Sequence, residues 1–552
     1  MTLPQHMFKA IYQEAEIPQY RENPFIEALP PSMTLQQVKK GLTGTIQFDP
    51  RDITADGRTR AHIIASLLDD FFQPLSAHLQ LEEKISIMIR RGYVGRNLKD
   101  GSLHLHMQNG YERVMTGDLE VCRFHQAKST ALSLSLIGCS GSGKSTTLSR
   151  ILSLYPQVIF HEEHNFTQLA YLKVDCPHDG SLKNLCIQFF RALDQVLHTD
   201  YETKYTGKRY GLNPLLAKVS QVANAHAIGV LVIDEIQHLS RKRSGGVEQM
   251  LNFFVSLVNV IGLPVVFVGT PKARPIFEND LRSGRRGAGF GSLLWEPMTA
   301  PPAVVDHATG KPRKTEWVAF TDKLWSYQWL QRGGESLSEE VRACWYDLSQ
   351  GVIDIVVKLF VLAQLRAIAT GVERITTGLL EKVYEDELKP VHPMLAALRS
   401  GDPDRIAAFS DLIVPDIDNK LLRLTASIGV KEINDSAKTG FEGNPKAQRL
   451  YNLLVAMDCE RSTITPLVRR VVQEYPELAT KDMVAMVLSW YESNELPREK
   501  PRKNRSSIPR KKWHTLESKD LRFMYSQADA DMYGYLKRSS VIFNMEDWLK
   551  TG

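Results

Sequence analysis

The 552-residue chain reads as an α/β protein, with a parallel-sheet core in its first half and an almost wholly helical second half. Three observations predict this. After Ser129, short continuous apolar runs alternate with amphipathic stretches, the pattern of a parallel sheet covered on both faces. One such run leads into a glycine-rich turn, Gly138-Cys-Ser-Gly-Ser-Gly143-Lys144-Ser145, and the turn opens a helix. Beyond a Pro/Gly/Lys-rich stretch at 299–314, the apolar spacing is helical throughout.

In chain order, the residues up to Ile53 are polar and proline-bearing, with Asn23-Pro24 and Pro30-Pro31 as turn or extended signals, and predict a loosely ordered arm or small adaptor. Helical spacing runs from Ala61 to Arg91 and stops at Gly92. The predicted strands are Ala131–Ile137, Leu169–Val174, Val230–Ile233, Val265–Val268 and Leu293–Trp295, with helices at Leu182–Val196 and Glu248–Val260 between them. The helical half contributes Trp317–Gln331, Ser338–Leu348, Val352–Ala369 and Thr376–Leu388, and no repeat of fixed period is present. The division that follows is an arm or adaptor at 1–125, an α/β core at 126–298, a helical lid at 299–392, a helical region at 393–495 and a basic tail with a docking segment at 496–552.

Composition narrows the function classes. Hydrophobic residues at 43% and charged residues at 24% suit a folded protein, and the length calls for more than one core. No run approaches the roughly 20 apolar residues that span a bilayer, and Met1–Arg21 lacks the apolar core of a signal peptide. A cytoplasmic protein with no membrane partner is expected. The six cysteines are scattered without a CxxC pair, against a zinc module or a disulfide framework. His161-Glu-Glu-His164 lacks the order of a zinc-protease motif and reads as surface polar sequence between strands. No Ser-His-Asp, Cys-His or acidic nuclease constellation stands out, so the chain is not expected to cut or join DNA.

The glycine-rich turn matches the phosphate-loop pattern without a mismatch and in the right context, strand before and helix after. Its glycines let backbone N–H groups converge on a phosphate chain, helped by the helix N-terminus. Gly138, Cys139, Ser140, Gly141, Ser142, Gly143, Lys144, Ser145 and Thr146 would cradle ATP, with Lys144 at the β- and γ-phosphates and Ser145 on Mg²⁺. About ninety residues on, Leu231-Val-Ile-Asp234-Glu235 is an apolar strand ending in two acids. Asp234 would orient Mg²⁺ and Glu235 would polarise the attacking water. Thr270, at the tip of the next strand, is either a sensor of the γ-phosphate or an ordinary helix cap. Arg282, Arg285 and Arg286 would complete a neighbouring subunit's site, or form a solvated or nucleic-acid-facing basic turn. Lys183, Arg241, Lys242 and Arg243 are candidates for DNA contact, against the alternative of solvated surface charge. The tail carries eight basic residues between Arg498 and Lys512, followed by Tyr525, Tyr533, Tyr535, Phe543 and Trp548, which suggests a docking module more than a spacer.

This order of phosphate loop, acidic strand, Thr-tipped strand, arginine-rich turn and helical lid resembles the AAA+ P-loop ATPases. More narrowly, Asn23–Pro31, Arg91-Gly-Tyr-Val-Gly-Arg-Asn97, Gly138–Lys144, Leu231–Leu239 with Ile236-Gln237-His238, Arg282–Gly291 and Lys389-Pro-Val-His-Pro393 resemble the TnsC family of bacterial transposition regulators. The resemblance is weakest from about Asp418 to Arg510. It implies a protein that binds ATP and Mg²⁺ and assembles as a ring or filament on double-stranded target DNA. A TnsD-like target selector would recruit it through the N-terminal half, and it would activate a TnsB-like transposase. The basic tail would engage a TnsA-like endonuclease, and hydrolysis would control disassembly. The residues alone leave open an AAA+ remodeller or loader and a nucleotide-switched signalling scaffold. One departure stands out: many AAA+ lids carry a Gly-x-x-Arg second sensor, whereas Gly351 is followed by Val352-Ile353-Asp354, with Lys358 one turn on as the candidate substitute.

Overall fold

The computed structural model describes residues 7–119, 121–125, 129–206, 210–239, 247–274, 291–300, 314–413 and 417–439. Beyond these it describes 447, 450–451, 454, 461–475, 478, 480–492, 510–516, 522–523 and 525. The chain forms two compact units, Met1–Asp435 and Ser436–Gly552.

The first unit holds eight described strands: β1 (Met7–Lys9), β2 (Ser133–Ile137), β3 (Val158–His161), β4 (Phe166–Leu169), β5 (Tyr171–Asp175), β6 (Val230–Asp234), β7 (Val265–Gly269) and β8 (Ser292–Leu294). Five make an all-parallel sheet in the order β5-β6-β7-β2-β8, which sets the phosphate-loop strand β2 between β7 and β8. Successive side chains along a strand face opposite ways. Ile137, Leu172, Leu231, Ile233, Val265 and Phe267 therefore pack with the helices Leu182–Leu197, Leu212–Ala225 and Val247–Val255. Leu134, Leu136, Val230, Val232, Val266 and Val268 face the other layer, with Leu81, Ile85, Met88 and Ile89 of the helix Ser76–Val94. Covering both faces makes the strands read as continuous apolar runs.

The N-terminal stretch differs from the arm expected. Asn23 caps a short helix, Pro24–Glu27, whose first position suits proline. Phe25, Ile26 and Leu29 are buried in the same core as the sheet, and Asn23 donates to the Tyr93 carbonyl at 2.7 Å. The predicted helix from Ala61 to Arg91 is three helices, Gly57–Ala65, Leu67–Asp70 and Ser76–Val94, interrupted around Pro74. A second sheet, β1-β3-β4, was not foreseen. The run Leu169–Val174 hides a change of sheet: Leu169 pairs antiparallel with Val158, while Tyr171 starts the parallel ladder with Val230. His161 corrects the surface reading of its motif. It ends β3 fully buried, hydrogen-bonded to Gln168 at 2.8 Å and Tyr12 at 2.9 Å.

The lid helices Glu316–Trp325, Glu339–Ser349, Ile353–Thr370 and Thr377–Glu387 enclose a core of Trp317, Phe320, Trp345, Phe360 and Leu380. Ala61, Ile64 and Leu67 join that core, and Arg60 makes two 2.8 Å bonds to Glu373. N-terminal helices thus connect sheet and lid. In the second unit, Arg461–Glu474 and Thr480–Glu492 pack through Leu467, Val468, Val471, Met483 and Val487. No described helix is long and apolar enough to cross a membrane.

Candidate nucleotide site

The turn after β2 is tightly determined. Gly138 donates to the Gly269 carbonyl at 3.1 Å, and a Cβ there would stand 2.1 Å from the Trp295 carbonyl oxygen, so only glycine fits. Gly141 (φ 74°) and Gly143 (φ 88°) occupy the left-handed region, where side chains are costly. The helix Lys144–Leu152 then begins with Thr147 donating to the Gly143 carbonyl. Cys139 is buried, its thiol pKa raised by desolvation, and packs as a small filler. Ser142 Oγ donates to the Cys139 carbonyl, and Trp295 Nε1 donates to the Ser142 carbonyl at 2.8 Å. Lys144 curls into the loop, its Nζ 2.7 Å from both the Gly138 and Cys139 carbonyls. Burial lowers its pKa, against which Cys139, Asp234, Glu235 and Asp411 act to raise it.

The turn floors a cleft of about 680 Å³. Ser140, Gly141, Gly143, Ser145 and Thr146 line it, and Asp234, Glu235 and Thr270 form its far wall. Parallel pairing of β6 and β7 beside β2 brings these tips together. Asp234 is 4% exposed; one carboxylate oxygen accepts from the Glu235 N–H at 2.9 Å and the other lies 3.1 Å from Lys173 Nζ. Glu235 is exposed with φ 56°, and its carboxylate accepts a hydrogen bond from the Gln237 amide. The same Gln237 side chain accepts from the Thr270 N–H at 3.1 Å. Thr270 is buried, and its hydroxyl has no partner among the described residues.

From the lid, Ile353, Asp354, Val357 and Lys358 line the cleft. Asp354 N–H donates to the Gly141 carbonyl at 3.0 Å, and its carboxylate pairs with Lys358 at 2.7 Å. Phe71, Phe72 and His78 also line the cleft, with His78 stacked on Trp295 at 5.4 Å. Ser410 places its carbonyl on the Ser140 N–H at 2.8 Å, and Asp411 pairs with Lys272, beyond Thr270, at 2.7 Å.

The structure therefore gathers Gly138–Thr146, Asp234, Glu235 and Thr270 around one cleft. Lys183 stands apart, half-buried on the first turn of Leu182–Leu197 and outside the cleft lining. Arg241, Lys242, Arg243, Arg282, Arg285 and Arg286 lie outside the described residues. Sequence reasoning missed Lys173, Trp295, Ser410 and Asp411, which act through strand pairing or long-range packing, and gave Gln237 no role.

Residues 126–277 match the family model described as an AAA domain, which implies nucleotide binding and ATPase activity. Residues 508–552 match the model described as the Tn7 transposition regulator TnsC. No curated protein matches the chain. Among solved structures it is similar to a Walker-type ATPase of Pyrococcus abyssi, at 15% identity and a TM-score of 0.30, covering 54% of this chain and 84% of that one. It is also similar to Cdc6p from Pyrobaculum aerophilum, at 13% identity, a TM-score of 0.26 and coverage of 53% and 87%. Drosophila ORC bound to DNA aligns at 14% identity, with a TM-score of 0.28 and coverage of 68% and 91%. With likenesses this distant, the AAA match and the strand order carry the fold. An AAA domain followed by the TnsC interaction region at the C-terminus identifies the chain as a TnsC-like transposition regulator.

Proposed function

We propose that this regulator is an ATP-gated, DNA-binding platform that assembles on target DNA, links a target selector to the transposase and disassembles on hydrolysis. The observation that carries the reading is the pairing of a fully built nucleotide cleft in the first unit with a TnsC interaction segment at 508–552 in the second. A nucleotide switch joined to a partner-docking segment is what a regulator needs, whereas the chemistry on DNA belongs to its partners.

Within the cleft, the loop N–H groups and Lys144 would hold the β- and γ-phosphates. The side chains suit this. Among the described residues, the Lys144 ammonium is satisfied by loop oxygens, weaker acceptors than a phosphate, and the Thr270 hydroxyl is buried without a partner. Ser145 and Asp234 would hold Mg²⁺, which when bound neutralises charge on the phosphates. Glu235 would take the proton of the attacking water and Thr270 would orient it. Arg282, Arg285 or Arg286 of a neighbouring copy would stabilise the transition-state charge. Residues 1–125 would meet a TnsD-like selector and 496–552 a TnsA-like nuclease, with a TnsB-like transposase activated by the assembly. Lys183 and Arg241–Arg243 are the proposed DNA contacts, and the protein would work in the bacterial cytoplasm.

The test is electron microscopy of the full chain with duplex DNA in ATP, a non-hydrolysable analogue, ADP or no nucleotide, together with Glu235→Gln. Rings or filaments on DNA only with triphosphate, and longer-lived ones in Glu235→Gln, are expected. Monomers without DNA in every state would remove the platform reading.

A further inference from the structure

Gln237 lies between the two groups that the proposed hydrolysis needs most, yet it is neither nucleophile, base nor phosphate ligand. Its side-chain amide is used at both ends. The oxygen accepts the Thr270 N–H at 3.1 Å, fixing the amide to the tip of β7, and the nitrogen donates to the Glu235 carboxylate at the end of β6. Room for this bridge comes from Gly269, where a Cβ would stand 3.0 Å from the Gln237 oxygen and 2.6 Å from Ile236 Cγ2. Without a brace Glu235 would be poorly fixed. Its side chain is half exposed and its backbone is left-handed. The other titratable groups about it, among the described residues, are Asp234 beside it, Cys176, His238 at 3.8 Å and Lys144 across the cleft.

We propose that Gln237 is a positioning residue for ATP hydrolysis, bridging Glu235 to Thr270 so that carboxylate and hydroxyl present one water to the γ-phosphate. This rests on the catalytic reading of Glu235. An amide suits the task because it offers a donor and an acceptor on one rigid plane. A glutamate of the same shape keeps the acceptor for Thr270 but sets a second carboxylate against Glu235. The two like charges repel, so Glu235 is driven from its place while the packing around Gln237 is kept.

The experiment is steady-state ATPase of the full chain, with ATP affinity measured separately, for wild type, Gln237→Ala, Gln237→Glu and Glu235→Gln. Melting temperatures check that each variant is folded. Both Gln237 variants should lower kcat by about tenfold to a hundredfold, the scale set by a misplaced catalytic group. Their ATP affinity should stay within about twofold, the mark of an interaction made only in the transition state. Gln237→Glu should lower kcat at least as far as Gln237→Ala, which lost packing alone would not do. In the Glu235→Gln background, removing Gln237 should cost less than about threefold, because the two act as a unit. A kcat that is unchanged or raised in Gln237→Ala would overturn the proposal, the rise marking Gln237 as a restraint on Glu235. Wild-type turnover no faster than Glu235→Gln would overturn the catalytic reading itself and this proposal with it.

Discussion

The floor of the nucleotide cleft and its far wall are built on opposite plans. The floor, Gly138–Lys144, is held mainly through its own backbone groups: glycines where a Cβ has no room, the Gly138 N–H on the Gly269 carbonyl, and the Asp354 N–H and Trp295 Nε1 on the Gly141 and Ser142 carbonyls. The far wall is held by side chains: Lys173 on Asp234, Gln237 on Glu235 and Thr270, and Lys272 on Asp411. Backbone cradles suit a ligand part that is the same in every nucleotide. Side-chain contacts can exchange partners, which suits the end that must distinguish triphosphate from diphosphate. On the proposed reading, an anion site and a sensing wall thus share one sheet edge.

The sharpest way to break this contrast is at the floor. Lys144→Ala removes a charge-assisted phosphate contact and should weaken ATP and ADP alike by about a hundredfold, close to 3 kcal/mol. Equilibrium binding of both nucleotides checks this; a loss confined to ATP would place Lys144 with the wall instead.

Acid should weaken the support beneath the floor. Burial drops the His78 pKa from 6.5 to about 4, and its Nδ1 accepts the Leu75 N–H. Between those values the unfolded chain binds more protons than the folded one. Stability from keeping His78 neutral is therefore complete above pH 6.5 and is lost as pH falls towards 4, up to about 3 kcal/mol. Urea unfolding across this range should be flatter in His78→Gln than in wild type. Parallel curves would show that His78 is not the group titrating; His106, also lowered to about 4, remains in both proteins.

The smallest effect should come from the wall. Ser410 and Asp411 occupy the Ser140 amide and Lys272, and the Asp411 charge lies near enough to Lys144 to raise its pKa. Asp411→Ala should tighten ATP by about two- to fivefold, the range of a partly exposed charge. ADP, which lacks the third phosphate, should change less; equal tightening of both would place Asp411 against the whole phosphate chain.

Much of the site was legible because its parts are local. A phosphate loop is one contiguous turn, and an apolar strand ending in Asp234-Glu235 delivers its acids to the sheet edge wherever the strand lies. Lys173 was invisible because its role depends on β5 lying next to β6, a neighbour relation that strand spacing does not state. Trp295 and Ser410 reach the loop from more than 150 and 260 residues away respectively, and nothing in their local context marks them. His161 was misread because the polarity of Glu162 and Glu163 masked a strand end whose ring is satisfied by Gln168 and Tyr12. The N-terminal stretch was misread in the same way: Asn23-Pro24 signals a turn, but also caps a helix when Phe25 and Ile26 have a core to enter.

Sequence by itself determined the parallel α/β core, the helical lid, the phosphate loop and its two acids, because periodicity and contiguous motifs act over a few residues. Tertiary structure decided the strand order, the burial of the N-terminal helices between sheet and lid, and the partners that hold Asp234, Glu235 and the Ser140 amide. Those depend on which distant segments meet, and the free energy of such meetings comes from packing between elements that no single stretch of chain records.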